Sequence, residues 1–350
     1  MKLTLPMLLL ALCAALTIGT PAEARQDTQR ASASKVGKVN NARRPASAAK
    51  ARGPQRTVAV RAAQTRRVSM QAMEPAKPSF GQALGLHGST DPLDLKSSVA
   101  LVVDQDTNEV LFSKNPGAVL PIASITKLMT AMVVLDARLG LNDLLTIVQD
   151  DVDTLRGSSS HVPVGTELSR EDMLRLALMS SENRASAALA RNFPGGVPAF
   201  VAAMNRKAVS LGLRDTRFSD STGLNSANVS SARDLVKMVS AASRYPLIRE
   251  FSTTANYPVS LNGRVRQFNN TNALVSSPDW QIGVSKTGFI NESGKCLVMQ
   301  AWLLNKPMII VLLDSFGRFT RVADAQRVKR WLESAAVQQK LALHSRGPAT

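Results

Sequence analysis

Residues 281–300, QIGVSKTGFINESGKCLVMQ, read as a strand, a turn and a second strand, with Lys286-Thr287-Gly288 on the first. A third apolar run follows at 307–313, with MIIVLL in its middle. Far upstream, 98–104 (SVALVVD) and 109–113 (EVLFS) flank the turn-rich 105–108 and read as a hairpin. Between the two strand groups the pattern is mostly helical. One helix begins near Ser124 and continues through 129–138. A second occupies 170–180 behind Ser169, with Asp172 three positions on as an acidic variant of the capping box. Ser231 and Asp234 repeat that device before 235–242. A terminal helix over 321–339 gathers Val322, Ala325, Val328, Trp331 and Leu332 on one face, the stripe expected of a helix packed on the sheet. The fold class is therefore α+β: one domain over 91–340, its antiparallel sheet built from both chain ends, with a largely helical insertion and the functional site at the seam. A short tail, 341–350, follows.

Two further motifs give Lys286-Thr287-Gly288 a chemical meaning. Ser124-Ile125-Thr126-Lys127 and Ser181-Glu182-Asn183 precede it in that order, Ser181 lying 57 positions beyond Ser124 and Lys286 105 beyond Ser181. Each motif alone is weak. Ser-x-x-Lys also occurs at Ser32 and Ser47, and Ser-x-Asn at Ser226 and Ser260; order, spacing and local structure make the set.

At a helix start Ser124 would by itself read as a cap. One turn on, Lys127 shares its face and can come within hydrogen-bond reach of the hydroxyl. A neutral amine there makes a serine nucleophilic, and burial beside a second cation such as Lys286 would keep it neutral. Ser181, in a connection between helical runs, could pass a proton to a leaving amine. Asn183 could hold Lys127 and a substrate carbonyl, while Glu182 is expected to face solvent. On the strand, Lys286 and Thr287 suit a substrate carboxylate, and Gly288 permits close approach. The backbone N–H groups of Phe289 and Ser124 could form an oxyanion hole. The chemistry is acyl transfer through a serine.

Other chemistries lack their residues. With His87 and His344 read as outside the folded part, a Ser-His-Asp triad would have to use His161. No Cys/His/Asp/Glu cluster has zinc-ligand spacing, no HExxH and no phosphate-cradling glycine loop occurs, so no metal and no cofactor is expected.

The remaining sequence concerns address. Lys2, the apolar run 3–18 and Ala22-Glu23-Ala24 read as a signal peptide, 1–24, cleaved after Ala24, which places the mature chain in the periplasm. The run is shorter than the roughly 20 apolar residues that cross a bilayer. Cleavage would remove Cys13 and leave Cys296 as the sole thiol, packed as a small apolar residue with no intramolecular disulfide. Between Arg25 and Arg67 stand 12 Lys or Arg and one acid, Asp27, so this segment carries +11 of the formal +17. Poor in large apolar side chains, it reads as a disordered basic arm that continues as linker, together 25–90. It is a solvated tether or an electrostatic grip on an anionic envelope polymer or lipid, giving peripheral membrane or wall association; export argues against nucleic acid.

The phrases PIASITKLMTAMVVLDA, MSSENRASAALA, FSDSTGLN and SKTGFINESGKCLVM resemble the low-molecular-mass penicillin-binding proteins, the D-alanyl-D-alanine carboxypeptidase/endopeptidase family, and within it the DD-endopeptidase subgroup. The resemblance spans 95–332. It implies an acylated nucleophile at Ser124, a general base at Lys127, proton relay and substrate orientation by Ser181 and Asn183, and carboxylate binding by Lys286 and Thr287. The implied substrates are peptidoglycan stem peptides and their cross-links, with β-lactams as covalent inhibitors. Ser158-Ser159-Ser160 resembles a family loop near the site, with no role assigned. Related β-lactamases carry a Glu-x-x-Leu-Asn element between the second and third motifs. Here Glu250, the sole glutamate in that interval, is followed by Phe-Ser-Thr-Thr, so slow release of penicillin is expected. Larger carboxypeptidases add a C-terminal β-domain and membrane helix; the 62 residues after Gly288 suggest a single catalytic domain without them.

Overall fold

The computed structural model describes residues 77–317, 319–334 and 338–339. The expected leader, its cleavage site, the basic arm and the first part of the linker lie outside the described residues, as does 341–350. The linker expected to reach residue 90 needs correcting. Ser79 caps a short helix, α1 (Phe80–Ala83), in a reciprocal box with Gln82 at 3.1 and 2.9 Å. A helical turn at Leu86–Gly88 follows and brings His87 Nε2 within 3.0 Å of buried Asp314. His87 therefore belongs to the folded part.

Five strands form the sheet: β1 (Ser97–Asp104), β2 (Val110–Lys114), β3 (Gln281–Ile290), β4 (Gly294–Leu303) and β5 (Lys306–Ser315). Their order is β2-β1-β5-β4-β3, every pair antiparallel, so both chain ends meet where Val99 pairs with Leu313. The first and third of the C-terminal strands are longer than their expected spans, 282–286 and 307–313, while β4 keeps the expected length of 295–304 shifted by one residue. The first continues past Lys286 to Ile290, which puts the whole of Lys286-Thr287-Gly288 on an edge strand.

Period-two alternation gives the sheet two buried faces. Val99, Leu101, Val298, Ile309, Val311 and Leu313 join the core beneath the helical part. Ala100, Val102, Leu297, Met299, Ile310 and Leu312 join a second core under α8 (Thr320–Leu332). Burial on both sides explains why these strands read as unbroken apolar runs. Within α8, Ala325, Val328 and Leu332 meet the sheet, and its helical register ends at Leu332, short of the expected 339. Buried Asp324 ties α8 to β1, accepting from the N–H groups of Lys96 and Ser97 at 3.1 and 2.8 Å and from Ser97 Oγ at 2.7 Å.

The helical part comprises α2 (Thr126–Asp136), α3 (Arg170–Met179), α4 (Asn183–Arg191), α5 (Gly196–Ser210), α6 (Ala232–Ala242) and α7 (Pro246–Thr253). Ser169 and Ser231 cap α3 and α6 as expected, their side chains accepting from the N–H groups of Asp172 and Asp234. Central α2 is buried from Thr126 to Val134, so its polar members must find partners inside the protein.

Candidate active site

Lys127 is fully buried at the start of α2, where an ammonium would be costly without partners. Its Nζ finds three. It lies 2.8 Å from Ser124 Oγ, 2.8 Å from Asn183 Oδ1 and 2.7 Å from the Thr222 carbonyl. Burial lowers its pKa from 10.5 to about 7, opposed by the charges of Asp220 and Glu182. An amine poised near neutrality, against a hydroxyl on the preceding turn, can accept that hydroxyl's proton.

Lys286 faces the same space from the edge of the sheet. Its Nζ is 2.9 Å from Ser181 Oγ, linking the second and third motifs across 105 residues. Burial pushes its pKa well down, and the nearby charges of Lys127 and Arg321 push the same way. Two amines in one buried site disfavour simultaneous protonation.

The backbone is constrained at both serines. Ala123, immediately before Ser124, has φ 46°, and Ser181 has φ 62°. Each non-glycine residue in this left-handed region costs about 1–3 kcal/mol, a cost that clusters where side chains must be aimed. Ser124 belongs to a 3-10 turn, Ala123–Ile125, leading into α2. Its hydroxyl is committed to Lys127.

Gly288 has a steric role. A Cβ there would stand 2.8 Å from the Ile122 carbonyl and 3.1 Å from Ser124 N, so only glycine lets the strand pass this close to the serine. Thr287 Oγ1 donates to Thr271 Oγ1 at 2.7 Å. Phe289 lies next along the strand, its ring half exposed beneath the Lys295 ammonium at 4.1 Å. The structure thus brings together two hydrogen-bonded groups, Ser124–Lys127–Asn183 and Ser181–Lys286, with Thr287, Gly288 and Phe289 on the strand wall.

Several residues depart from expectation or escape it. Glu182 faces inward, accepting from Ser160 Oγ at 2.7 Å and the His161 N–H at 2.9 Å. It anchors the Ser158–Ser160 loop, and Ser158 Oγ in turn accepts from Asn183 Nδ2 at 2.9 Å. Three consecutive serines carry no periodic signal, so sequence reasoning left that loop without a role. Arg321, on the first turn of α8, lends its charge to the Lys286 environment and donates to the Gly288 carbonyl at 3.4 Å. The 219–225 loop carries no chemical motif of its own, and its Thr222 carbonyl is a hydrogen-bond partner of Lys127. Elsewhere, His161 Nδ1 pairs with Arg266 at 2.9 Å, and Glu250 pairs with Arg175 at 2.8 Å on the surface. Cys296 is buried on β4, its thiol pushed up to about 11 by burial, as befits a packing residue.

Comparison with known proteins agrees with this geometry. The family model described as D-alanyl-D-alanine carboxypeptidase (peptidase S11) matches residues 87–317. The D-alanyl-D-alanine endopeptidase of Pseudomonas aeruginosa is 51% identical over 246 residues, 70% of this chain and 79% of that protein. The Escherichia coli protein of the same name is 49% identical over the same shares. Among solved structures, the Streptomyces K15 DD-transpeptidase superposes with a TM-score of 0.64 at 29% identity, covering 69% of this chain and 98% of its own. Penicillin-binding protein D2 from Listeria monocytogenes, in its cefotaxime-bound form, gives 0.60 at 27%, covering 68% and 97%. The chain belongs to the S11 family of D-alanyl-D-alanine carboxypeptidases, among the low-molecular-mass penicillin-binding proteins, and is a serine DD-peptidase.

Proposed function

We propose that this protein is a periplasmic DD-endopeptidase, cutting the D-alanyl cross-links between peptidoglycan stem peptides through a Ser124 acyl-enzyme, and that penicillins acylate the same serine. The observation that carries the reading is the 2.8 Å contact of Lys127 Nζ with Ser124 Oγ inside a dry site. Neutral Lys127 takes the Ser124 proton as Oγ adds to the D-alanine carbonyl, and the backbone N–H groups of Ser124 and Phe289 receive the oxyanion. Ser181, held by Lys286, hands its proton to the departing amine as the C–N bond breaks and takes up in its place the proton that Lys127 received, which leaves Lys127 neutral again. Lys286 and Thr287, with Arg321 behind them, take the carboxylate beside that amine. Water then attacks the ester, Lys127 accepting its proton and returning it to Ser124 Oγ as the ester C–O bond breaks, which releases the peptide and restores the free enzyme.

Preference for a cross-link over a terminal D-alanine is supported by the two endopeptidases at about half identity. Digestion of purified cross-linked muropeptide dimers, followed by chromatography, tests it. Conversion to monomers is expected. Dimers that persist while losing only terminal D-alanine would make the protein a carboxypeptidase, the activity in the family's own description. Rapid turnover of nitrocefin would point instead to a β-lactamase. The export signal supports the periplasmic address, and the arm's charge supports contact with anionic envelope polymer. Deleting 25–67 should weaken sacculus binding and flatten its salt dependence; an unchanged, salt-insensitive affinity would leave the arm a tether.

A further inference from the structure

We propose that Asp220 is a positioning residue of the acylation step: it winds residues 220–225 into the loop that aims the Thr222 carbonyl at Lys127 Nζ. Four groups donate to one oxygen of this carboxylate. Oδ1 accepts from the N–H groups of Thr222 (2.7 Å) and Gly223 (2.6 Å), from Thr222 Oγ1 (3.2 Å) and from Asn228 Nδ2 (3.2 Å). Oδ2 accepts from the Asn225 N–H at 2.8 Å. No ion pair among the described residues engages Asp220, so its charge is held by the loop's own donors.

The wound loop is then docked onto the nucleophile's turn at two points. Gly223 has φ +83°, and a Cβ there would run into the Ala123 carbonyl and stand 2.8 Å from Ser124 N. Asn228 Oδ1 accepts from the Ser219 N–H at 2.6 Å, while its Nδ2 donates to Thr126 Oγ1 on α2 at 3.0 Å. Held in this way, the Thr222 carbonyl meets Lys127 Nζ at 2.7 Å. It accepts from the amine in either protonation state and so directs the remaining lone pair of neutral Lys127. Asp220 also acts through charge, since with Glu182 it opposes the burial that lowers Lys127.

An asparagine of the same shape cannot reproduce the nest. With its oxygen toward Thr222 and Gly223, its NH2 faces the Asn225 N–H, donor against donor. The inference rests on Lys127 being the base for Ser124. Its test is the rate constant for acylation by a fluorescent penicillin, measured from pH 5.5 to 9 on wild type, Asp220→Asn and Asp220→Ser. The serine keeps one acceptor without charge and serves as the second variant. Both variants are expected to lose about tenfold in plateau rate, part of the 10²–10⁴ a positioned base contributes. Their acid limb should move to lower pH, because an anion that favours protonated Lys127 is gone. Wild-type plateau and limb in either variant would overturn the proposal. So would fewer reactive molecules that still react at the wild-type rate, which marks a folding role alone. Failure of the wild type to label at Ser124 would sink the underlying reading instead, and this inference with it.

Discussion

Lys286, on the edge strand, and Ser181, in the loop before α4, meet at 2.9 Å although 105 residues separate them. The contact closes the cleft between sheet and helical part and joins two of the three motifs directly. It also sets the Lys286 amine against Ser181 Oγ, which holds the hydroxyl in place for relaying a proton to a leaving amine.

Replacing Ser181 with alanine should therefore leave the fold intact and slow acylation. A proton-relay group contributes roughly 10²–10⁴ in rate. A loss of that order in penicillin acylation, with an unchanged melting temperature, is expected. A rate within twofold of wild type would remove Ser181 from the relay.

The pH dependence follows from Lys127. Only its neutral form can accept the Ser124 proton, and burial brings its pKa to about 7. Acylation should rise with pH through about 7 and level off above it. Stopped-flow labelling between pH 5.5 and 9 checks this; a rate climbing only above pH 9 would mean an ordinary, solvated lysine.

Gly223 offers a steric test. Alanine there would have to occupy a left-handed conformation and push against the Ala123 carbonyl. Strain of about 1–2 kcal/mol plus an overpacking cost of about 1–3 kcal/mol should lower the unfolding free energy by roughly 2–5 kcal/mol. Urea unfolding measures it, and a loss below about 0.5 kcal/mol would show that the loop moves aside freely.

How much of this was legible in the sequence follows from the range of each interaction. The apolar runs of β1, β3, β4 and β5 declared themselves because both faces of the sheet are covered, and the Ser169 and Ser231 caps because they act over three residues. Ser124 and Lys127 lie one turn apart, so their contact follows from helix geometry. Glu182 did not, since a carboxylate in a polar connection looks solvated until Ser160 and His161 arrive from a distant loop. Arg321 was hidden by the register of α8 against β3, which only packing fixes. His87 was misplaced for a related reason: its partner Asp314 lies 227 residues away.

Stability at the junction of the two chain ends depends on Asp324, buried among the N–H groups of β1 and paired with Arg327 at 2.7 Å. Removing one partner of a charged hydrogen-bond cluster costs about 3–5 kcal/mol. Asp324→Ala should lower the denaturant midpoint accordingly while the surviving folded protein still labels with penicillin. A loss of unfolding free energy below about 1 kcal/mol would show that α8 is held by its apolar face alone.

The central claim is that Ser124 becomes the acylated residue. Mass mapping of the adduct formed with penicillin tests it most directly. A single modified site at Ser124, absent in Ser124→Ala and formed far more slowly in Lys127→Ala, is the expected result. An adduct on any other residue, or labelling that survives the loss of Ser124, would contradict it.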